Sequence, residues 1–332
     1  MIKKITTILM MLASMAVAAS CGVNGNGSSA DEKKPESKTD KKCRTWGEEG
    51  ITTDNFVFIA NGKVQLGVDM DRGGSIFHFS TSKEKINRLN HADEGRFIQQ
   101  SYYGNDGKEY TWTNSGWCWN PIQGGGCDGQ KSKVVSKKVT GTSISVVSTP
   151  MQWGKTVALD KCELATDCVM SEELKVIDNY AELEFTFKYN GDKDLGTHSA
   201  EVPAFFCDWD LNNYACYSGD APWTDDEITV LVPKVLQGIA NPNPSIHQTE
   251  EWSAYINDDG YGIGLYTPGT DTAIYYTAGA GPGGAKAGSC SYFAPIRNLH
   301  ITPGFEFNYK AYLTIGTIDE IRATFKKIHD EN

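Results

Sequence analysis

The chain has 332 residues, nine cysteines and a formal net charge of −11. An acidic chain of this kind is a poor partner for nucleic acid, whose phosphates require a basic surface. Once the N-terminal segments are set aside, the remaining length suits one large β domain better than several small ones.

The N-terminus has the pattern of a lipoprotein export signal. Lys3 and Lys4 precede a short apolar run, and small residues stand immediately before Cys21. A charged region, an apolar region and a small-residue cleavage site are typical of a secretory signal, and the run is too short to span a bilayer. We therefore predict a signal peptide over residues 1–20, a lipid anchor at Cys21 and residence in the bacterial cell envelope. The alternative is a plain secreted protein with an unmodified cysteine.

Residues 21–45 are rich in Gly, Ser, Lys, Glu and Asp and contain almost nothing apolar. Such a composition has too little apolar surface to form a core, so we predict a flexible tether. Residues 46–332 show no second change in composition and are predicted to form a single domain.

Eight cysteines remain after Cys21, and an even set in an exported protein favours disulfides. We predict that at least two of the pairs that are close in sequence are bridged. These pairs are Cys118/Cys127, Cys162/Cys168 and Cys207/Cys216, with Cys43 and Cys290 left over. The alternative is that some are buried free thiols, which pack as small hydrophobic side chains.

The elements along the domain are predicted mainly as strands. Hairpins are expected over residues 131–149, 172–189 and 254–266, because β-branched or aromatic residues alternate with polar ones around turn residues. A further long strand is expected over residues 305–315. Only residues 318–329 have helical spacing of their apolar positions. The predicted fold class is all-β, a large two-sheet sandwich with a short C-terminal helix.

The first candidate site segment is a short predicted strand over residues 95–104. Alternation places Arg96, Gln100 and Tyr102 on one face and Tyr103 on the other. A polar and aromatic face of this kind is suited to a sugar, with Arg96 pairing a carboxylate or hydroxyl groups. The alternative is a structural strand with a buried arginine–carboxylate pair.

The second segment is a Gly-rich loop that carries Trp119, Asn120 and Gln123. Indole faces stack on the C–H faces of sugars, and amides bond hydroxyl groups, so these residues are predicted to bind substrate. Trp252, which follows two glutamates, offers another stacking face. The alternative for the Gly-rich loop is that its two tryptophans, Trp117 and Trp119, belong to the core next to a turn.

The third segment contains His198 and Glu201, three positions apart on a predicted strand. They lie on opposite faces of a regular strand and converge only if the strand bends, as Pro203 suggests. Histidine is the usual proton shuttle near neutral pH.

Residues 208–213 superficially resemble a calcium loop but lack the glycine and glutamate of an EF-hand. We therefore predict no cofactor, with calcium as a weak alternative.

Several stretches resemble the carbohydrate-active lipoproteins of gut Bacteroidetes that carry a galactose-mutarotase-like β-supersandwich domain. They are residues 71–76 (DRGGSI), 95–104 (GRFIQQSYYG), 119–125 (WNPIQGG) and 251–268 (EWSAYINDDGYGIGLYTP). The resemblance lies in the order in which these sequence features occur over most of residues 50–330. It implies the same fold.

The resemblance also implies a site with a histidine acid and a carboxylate base near an arginine. His198, Glu201 and Arg96 can fill those roles. The sequence lacks the paired histidine motif of true mutarotases, which argues against simple interconversion of anomers.

These features predict an exported enzyme acting on a poly- or oligosaccharide. The chain has no GxSxG or HExxH motif to favour acyl hydrolysis or zinc proteolysis. A glycoside hydrolase would pair Glu201 with Asp208, Asp210 or Glu251 across the scissile bond. In a polysaccharide lyase, Arg96 or Asn120 would neutralise a uronate, and Tyr102, Tyr103 or His198 would take a proton. The alternative from another class is a non-catalytic glycan-binding lipoprotein.

Overall fold

The structure is a computed structural model, and it describes residues 54–90, 95–111, 113, 118–233, 235–236, 243–278 and 289–332. The predicted signal peptide, the tether and Cys21 lie outside these residues, as does Trp117. Within the described part of the chain, no helix is long and apolar enough to cross a membrane.

The strands of the first half of the chain are β1 (Phe56–Ala60), β2 (Val64–Asp69), β3 (Ser75–Thr81), β4 (Gln99–Ser101), β5 (Pro121–Ile122), β6 (Lys133–Val139), β7 (Ser143–Thr149), β8 (Met151–Gln152), β9 (Cys168–Ile177) and β10 (Tyr180–Tyr189). Those of the second half are β11 (Thr197–Cys207), β12 (Asn213–Cys216), β13 (Thr229–Leu231), β14 (Val235–Leu236), β15 (Ser245–His247), β16 (Trp252–Ile256), β17 (Tyr261–Tyr266), β18 (Thr272–Ala278), β19 (Cys290–His300) and β20 (Glu306–Thr317). The C-terminal helix is α1 (Ile318–Glu331).

The strands form two large sheets and a small one. The back sheet has the order β13-β12-β16-β17-β20-β10-β9-β7-β6, and the front sheet has the order β14-β18-β19-β11-β4-β5-β8, with β15 paired to β18. The strands β1, β2 and β3 make the small sheet. A single large core, which includes Phe185 of the back sheet and Phe205 of the front sheet, fills the space between them. The prediction of an all-β, two-sheet sandwich with a C-terminal helix is confirmed.

The predicted hairpins are all present. They are β6–β7, β9–β10 and β16–β17, each antiparallel. In β10 the buried and partly exposed positions alternate, so Leu183, Phe185 and Phe187 face the core. At the β9–β10 turn, Asp178 adopts a φ of 51°, a conformation that aspartate tolerates better than most residues.

The helix α1 begins with a capping box, in which the Thr317 hydroxyl accepts from the Glu320 N–H and the Glu320 carboxylate accepts from the Thr317 N–H. Its apolar residues Ile321, Phe325 and Ile328 pack on Trp252 and other aromatic side chains on the outer face of the back sheet. The helix thus covers part of that face.

The predicted pairing of the cysteines is wrong. The described disulfide joins Cys127 to Cys162, 35 positions apart, because the fold brings the loop before β6 next to the segment before β9. Cys118, Cys168, Cys207 and Cys216 are buried free thiols, and Cys290 is buried as well. Cys43 lies outside the described residues.

Candidate functional site

The outer face of the front sheet, opposite the core, carries a cluster of polar side chains around Glu201. We call Arg96, Ser101, Tyr103, Glu201 and Tyr292 the Glu201 cluster. The Tyr292 hydroxyl donates to Glu201 Oε1 at 2.5 Å. Ser101 and Tyr103 also share side-chain hydrogen bonds with the Glu201 carboxyl, and Arg96 interacts with it electrostatically. The fold therefore gathers three predicted site residues, namely Arg96, Tyr103 and Glu201.

Regular alternation along β11 places Glu201 on this face, and a bulge after it brings Phe206 to the same face. Up to Glu201, β11 pairs with β19 in regular register, and Ala200 faces the core. The register then shifts between Glu201 and Phe205. Beyond the shift Phe205 faces the core, while Phe206 packs with Tyr292 on the outer face. Glu201 and Phe206 thus lie on the same side of the sheet despite their odd separation in sequence.

The electrostatics of Glu201 arise from opposing effects. Burial raises the pKa of its carboxyl group, while the hydroxyl groups of Tyr292, Ser101 and Tyr103 and the charge of Arg96 oppose that rise. The net result is a pKa above the usual value of a glutamate. Burial and the nearby Glu201 raise the pKa of both Tyr103 and Tyr292 well above that of an ordinary tyrosine. Both phenols therefore stay protonated and remain hydrogen-bond donors.

Arg96 is framed by aromatic rings. Its guanidinium carbon lies 5.1 Å from the centre of the Trp153 ring and 5.7 Å from that of Phe206, within the range of cation–π contacts. Tyr276 lies beside Tyr292, with ring centres 4.4 Å apart. Arg96, Trp153 and Tyr276 are all partly exposed.

Asn120 supports the cluster from behind. Its amide donates to the Tyr102 carbonyl at 2.7 Å and to the Ser101 hydroxyl at 3.3 Å. The backbone carbonyl of Asn120 accepts from the backbone N–H of Trp153 at 2.8 Å. Asn120 is buried, so the structure places this predicted substrate-binding residue as a support for Ser101 and Trp153.

Three further predicted site residues lie inside the sandwich. The Tyr102 ring stacks on Phe187 of the back sheet, and its hydroxyl donates to Gln100. Gln123 donates to the carboxyl group of Glu172 at 2.8 Å. Burial raises the pKa of Glu172 to about 8. Tyr102, Gln100 and Gln123 thus form an interior polar network, and none of their side chains is exposed to a ligand.

Both predicted sugar-stacking tryptophans are core residues. Trp119 packs edge-on against Phe187 and Tyr189 between the sheets. Trp252 is fully buried under α1, and its indole N–H donates to Glu250 at 2.7 Å. Trp119 thus lies in the core, as the alternative for its loop has it, and Trp252, predicted as a stacking face, is a core residue too.

The structure separates His198 from Glu201. The register of β11 against β19 is regular from Thr197 to Glu201, so the two side chains point to opposite faces of the sheet. The strand does bend near Pro203, but the register shift follows Glu201 and so does not bring His198 round. The structure therefore does not bring these two predicted site residues together.

Arg96 departs from the predicted alternation because the regular strand β4 begins only at Gln99. Ser101, Tyr292, Trp153 and Phe206 were not predicted as site residues. The alternation of Cys290, Tyr292 and Ala294 is the available sequence signal for a shared outer face, and it does not distinguish Tyr292 from a structural residue.

The group of side chains that lies close enough to share a metal ion does not have the set of oxygen ligands that calcium prefers. In the described chain the group close enough to share an ion is Cys127, Asp128 and Cys162, and its two sulfur atoms are bonded to each other. The segment that resembles a calcium loop makes a turn, in which the Leu211 N–H donates to the Asp208 carbonyl.

The sequence matches no protein-family model, and no curated protein sequence matches it. Several solved structures are similar in fold. One is described as a putative aldose 1-epimerase from Escherichia coli K12, with a TM-score of 0.47 and 14% identity, covering 79% of this chain and 99% of that one. A galactose mutarotase related enzyme from Lactobacillus acidophilus has a TM-score of 0.46 and 11% identity over 78% of this chain and 97% of that one. The 4-alpha-glucanotransferase of Thermococcus litoralis has a TM-score of 0.45 and 8% identity over 78% of this chain and 37% of its own.

Proposed function

We propose that the protein is a carbohydrate-active enzyme that acts on an oligo- or polysaccharide at the Glu201 cluster. The observation that carries the proposal is a carboxyl group with a raised pKa, held by hydroxyl donors and faced by an arginine, on a sheet face lined with aromatic rings. A buried carboxyl group with a raised pKa is a candidate general acid or base. Aromatic faces with a few placed polar groups are what a sugar requires.

Each residue of the cluster has a role in this proposal. Glu201 exchanges a proton with the sugar, and Tyr103 and Tyr292 fix the orientation of its carboxyl group. Arg96 pairs a carboxylate or hydroxyl groups of the substrate. Trp153 and Tyr276 offer faces for the sugar ring.

The class of reaction depends on what accompanies Glu201. Hydrolysis requires a second carboxyl group across the glycosidic bond. In β-elimination, Arg96 would neutralise the carboxylate of a uronate, and ionised Glu201 would take the proton from the sugar. Tyr103 would not take it, because its raised pKa keeps the phenol protonated.

One assay separates these routes. The purified protein is incubated with plant, host and algal polysaccharides, and reducing ends are followed together with ultraviolet absorbance. We expect new reducing ends on at least one glycan. New absorbance would assign a lyase, because elimination leaves a conjugated double bond, and reducing ends alone would assign a hydrolase. Binding with neither signal would contradict the enzyme proposal.

The second candidate is a non-catalytic glycan-binding protein. The observation in its favour is that the contacts shown for Glu201 are to hydroxyl groups and an arginine, an arrangement that also serves recognition alone. The same aromatic faces would then hold a glycan that is passed on unchanged.

We also propose that the protein is anchored to the bacterial envelope through Cys21. The Cys21→Ala variant is expected to lose incorporation of a labelled fatty acid and to move from the membrane fraction to the soluble fraction. Metabolic labelling with fractionation tests this, and Cys118→Ala is a control because that cysteine is buried in the domain. Equal labelling of the Cys21→Ala variant and the wild type would contradict the anchor.

A further inference from the structure

A cavity of about 730 Å³ lies at the edge of the front sheet, beside its last strand β8. Buried Trp119, Met151 and Ala165 contribute apolar surface to its wall. The volume is within the range of pockets that hold small ligands. The Glu201 cluster does not line this cavity, so it is a separate place in the molecule.

The wall of the cavity is polar, yet its formal charges balance. Among the described residues it carries three lysines and three carboxyl groups: Lys108, Lys131, Lys161, Asp106, Glu163 and Asp167. The phenol of Tyr110 and the amides of Gln130 and Gln152 add uncharged donors and acceptors. An apolar ligand would remove water from these polar groups without offering them hydrogen bonds, at a cost in free energy. A ligand with a strong net charge would meet as many like charges as opposite ones. A neutral molecule with many hydroxyl groups matches this wall best.

The polar groups of the wall are held in place before any ligand arrives. The Tyr110 hydroxyl donates to Asp106 at 2.8 Å, and the Thr156 hydroxyl donates to Glu163 at 2.8 Å. The disulfide from Cys127 to Cys162 ties two segments near the cavity together. A preformed site binds more tightly because less conformational entropy is lost on binding.

The cavity is connected to the Glu201 cluster by a series of contacts that run through Gln152 and Asn120. Gln152 lines the cavity, and its side-chain oxygen accepts from the Asn120 N–H at 3.0 Å. The Asn120 amide in turn contacts the Ser101 hydroxyl, which bonds Glu201. The next residue, Trp153, lies under Arg96. The ends of β8 and of its neighbouring strands thus contact both the cavity and the Glu201 cluster.

We propose that this cavity is a second carbohydrate-binding site that takes a neutral oligosaccharide. The site is distinct from the Glu201 cluster, and it rests on the proposed function only for the class of ligand. Its expected role is to hold a glycan at the sheet edge, so that the affinity for longer neutral chains exceeds that for short ones.

The test is to fill the cavity. Thr166 lines it and is exposed, so Thr166→Trp places an indole in the cavity without touching the core. The control is Thr142→Trp, an exposed threonine in the β6–β7 turn. Calorimetric titration uses neutral cello-, xylo-, manno- and malto-hexasaccharides, with an oligogalacturonide as the anionic probe. Circular dichroism and thermal melting confirm that both variants fold.

We expect Thr166→Trp to weaken binding of a neutral hexasaccharide at least about tenfold, with Thr142→Trp like the wild type. Equal affinity of Thr166→Trp and the wild type overturns the proposal, as does the absence of binding to any neutral probe. Loss of oligogalacturonide binding alone in Thr166→Trp also overturns it, because the ligand would then be anionic. If Thr166→Trp binds normally while Glu201→Gln loses turnover, the second site fails and the proposed function stands.

Discussion

The Glu201→Gln variant is expected to lose glycan turnover by about 10²–10⁴-fold, the usual contribution of a general acid or base. Glutamine keeps the shape and can still accept from Tyr292, but it cannot exchange a proton. Affinity for the glycan is expected to change far less, since Arg96 and the aromatic rings remain. The measurement is kcat and KM on the glycan cleaved by the wild type, together with binding by calorimetry.

The tyrosine donors give a graded version of this experiment. Removing a hydroxyl group that stabilises the ionised carboxylate raises the pKa of Glu201 further, so in Tyr103→Phe and Tyr292→Phe the limb of the pH–rate profile due to Glu201 moves to higher pH. Tyr275→Phe is the matched control, because Tyr275 is adjacent to Tyr276 but stacks on Tyr214 away from the cluster. Unchanged turnover in Glu201→Gln would show that the reaction does not take place at the Glu201 cluster.

The second large effect concerns stability. Glu172 is buried between the sheets, and its Oε1 has no hydrogen-bond partner among the described residues. Its pKa is about 8 in the folded protein, against an ordinary value of 4.5. As the pH rises above 4.5, the unfolded chain releases this proton and the folded chain keeps it until about pH 8. The free energy of unfolding therefore falls across that window and levels off above it.

The Glu172→Gln variant is expected to abolish this fall, because glutamine is neutral at every pH. At pH 8–9 it should be more stable than the wild type by roughly 3–5 kcal/mol, which is the shift in pKa expressed as free energy. Chemical denaturation from pH 4.5 to 9 measures the effect. Glu173→Gln is the control, since Glu173 is exposed and paired with Lys175 at 2.9 Å. A wild type and a Glu172→Gln variant with parallel pH profiles would show that Glu172 ionises freely in the folded state.

Most of the fold could be predicted from the sequence, because each element carries its own local pattern. The alternation of Leu183, Phe185 and Phe187 specifies a half-buried strand, and the spacing of Ile321, Phe325 and Ile328 specifies an amphipathic helix. These patterns depend on neighbours in sequence and need no knowledge of the rest of the chain.

The disulfide and the aromatic residues show where such patterns fail. The bond from Cys127 to Cys162 depends on which loops the fold brings together, and proximity in sequence is a poor guide to that. Trp119 and Trp252 have the composition of a sugar site around them, but a large aromatic ring next to amides or glutamates is equally suited to a core. Arg96, Tyr103 and Glu201, which the structure brings together, were predicted as polar side chains next to apolar ones, such as Glu201 just before Val-Pro-Ala-Phe-Phe.

The bulge in β11 has an evolutionary consequence. Before it the even-numbered position Ala200 packs in the core, and after it the odd-numbered position Phe205 does. Selection for core packing therefore acts on even-numbered positions before the bulge and on odd-numbered positions after it. Selection for a ligand acts on the remaining positions in each half of the strand. Under the proposed function, change at Glu201 among descendants of this chain would accompany a change of ligand, whereas change at Ala200 and Phe205 would require compensation inside the sandwich.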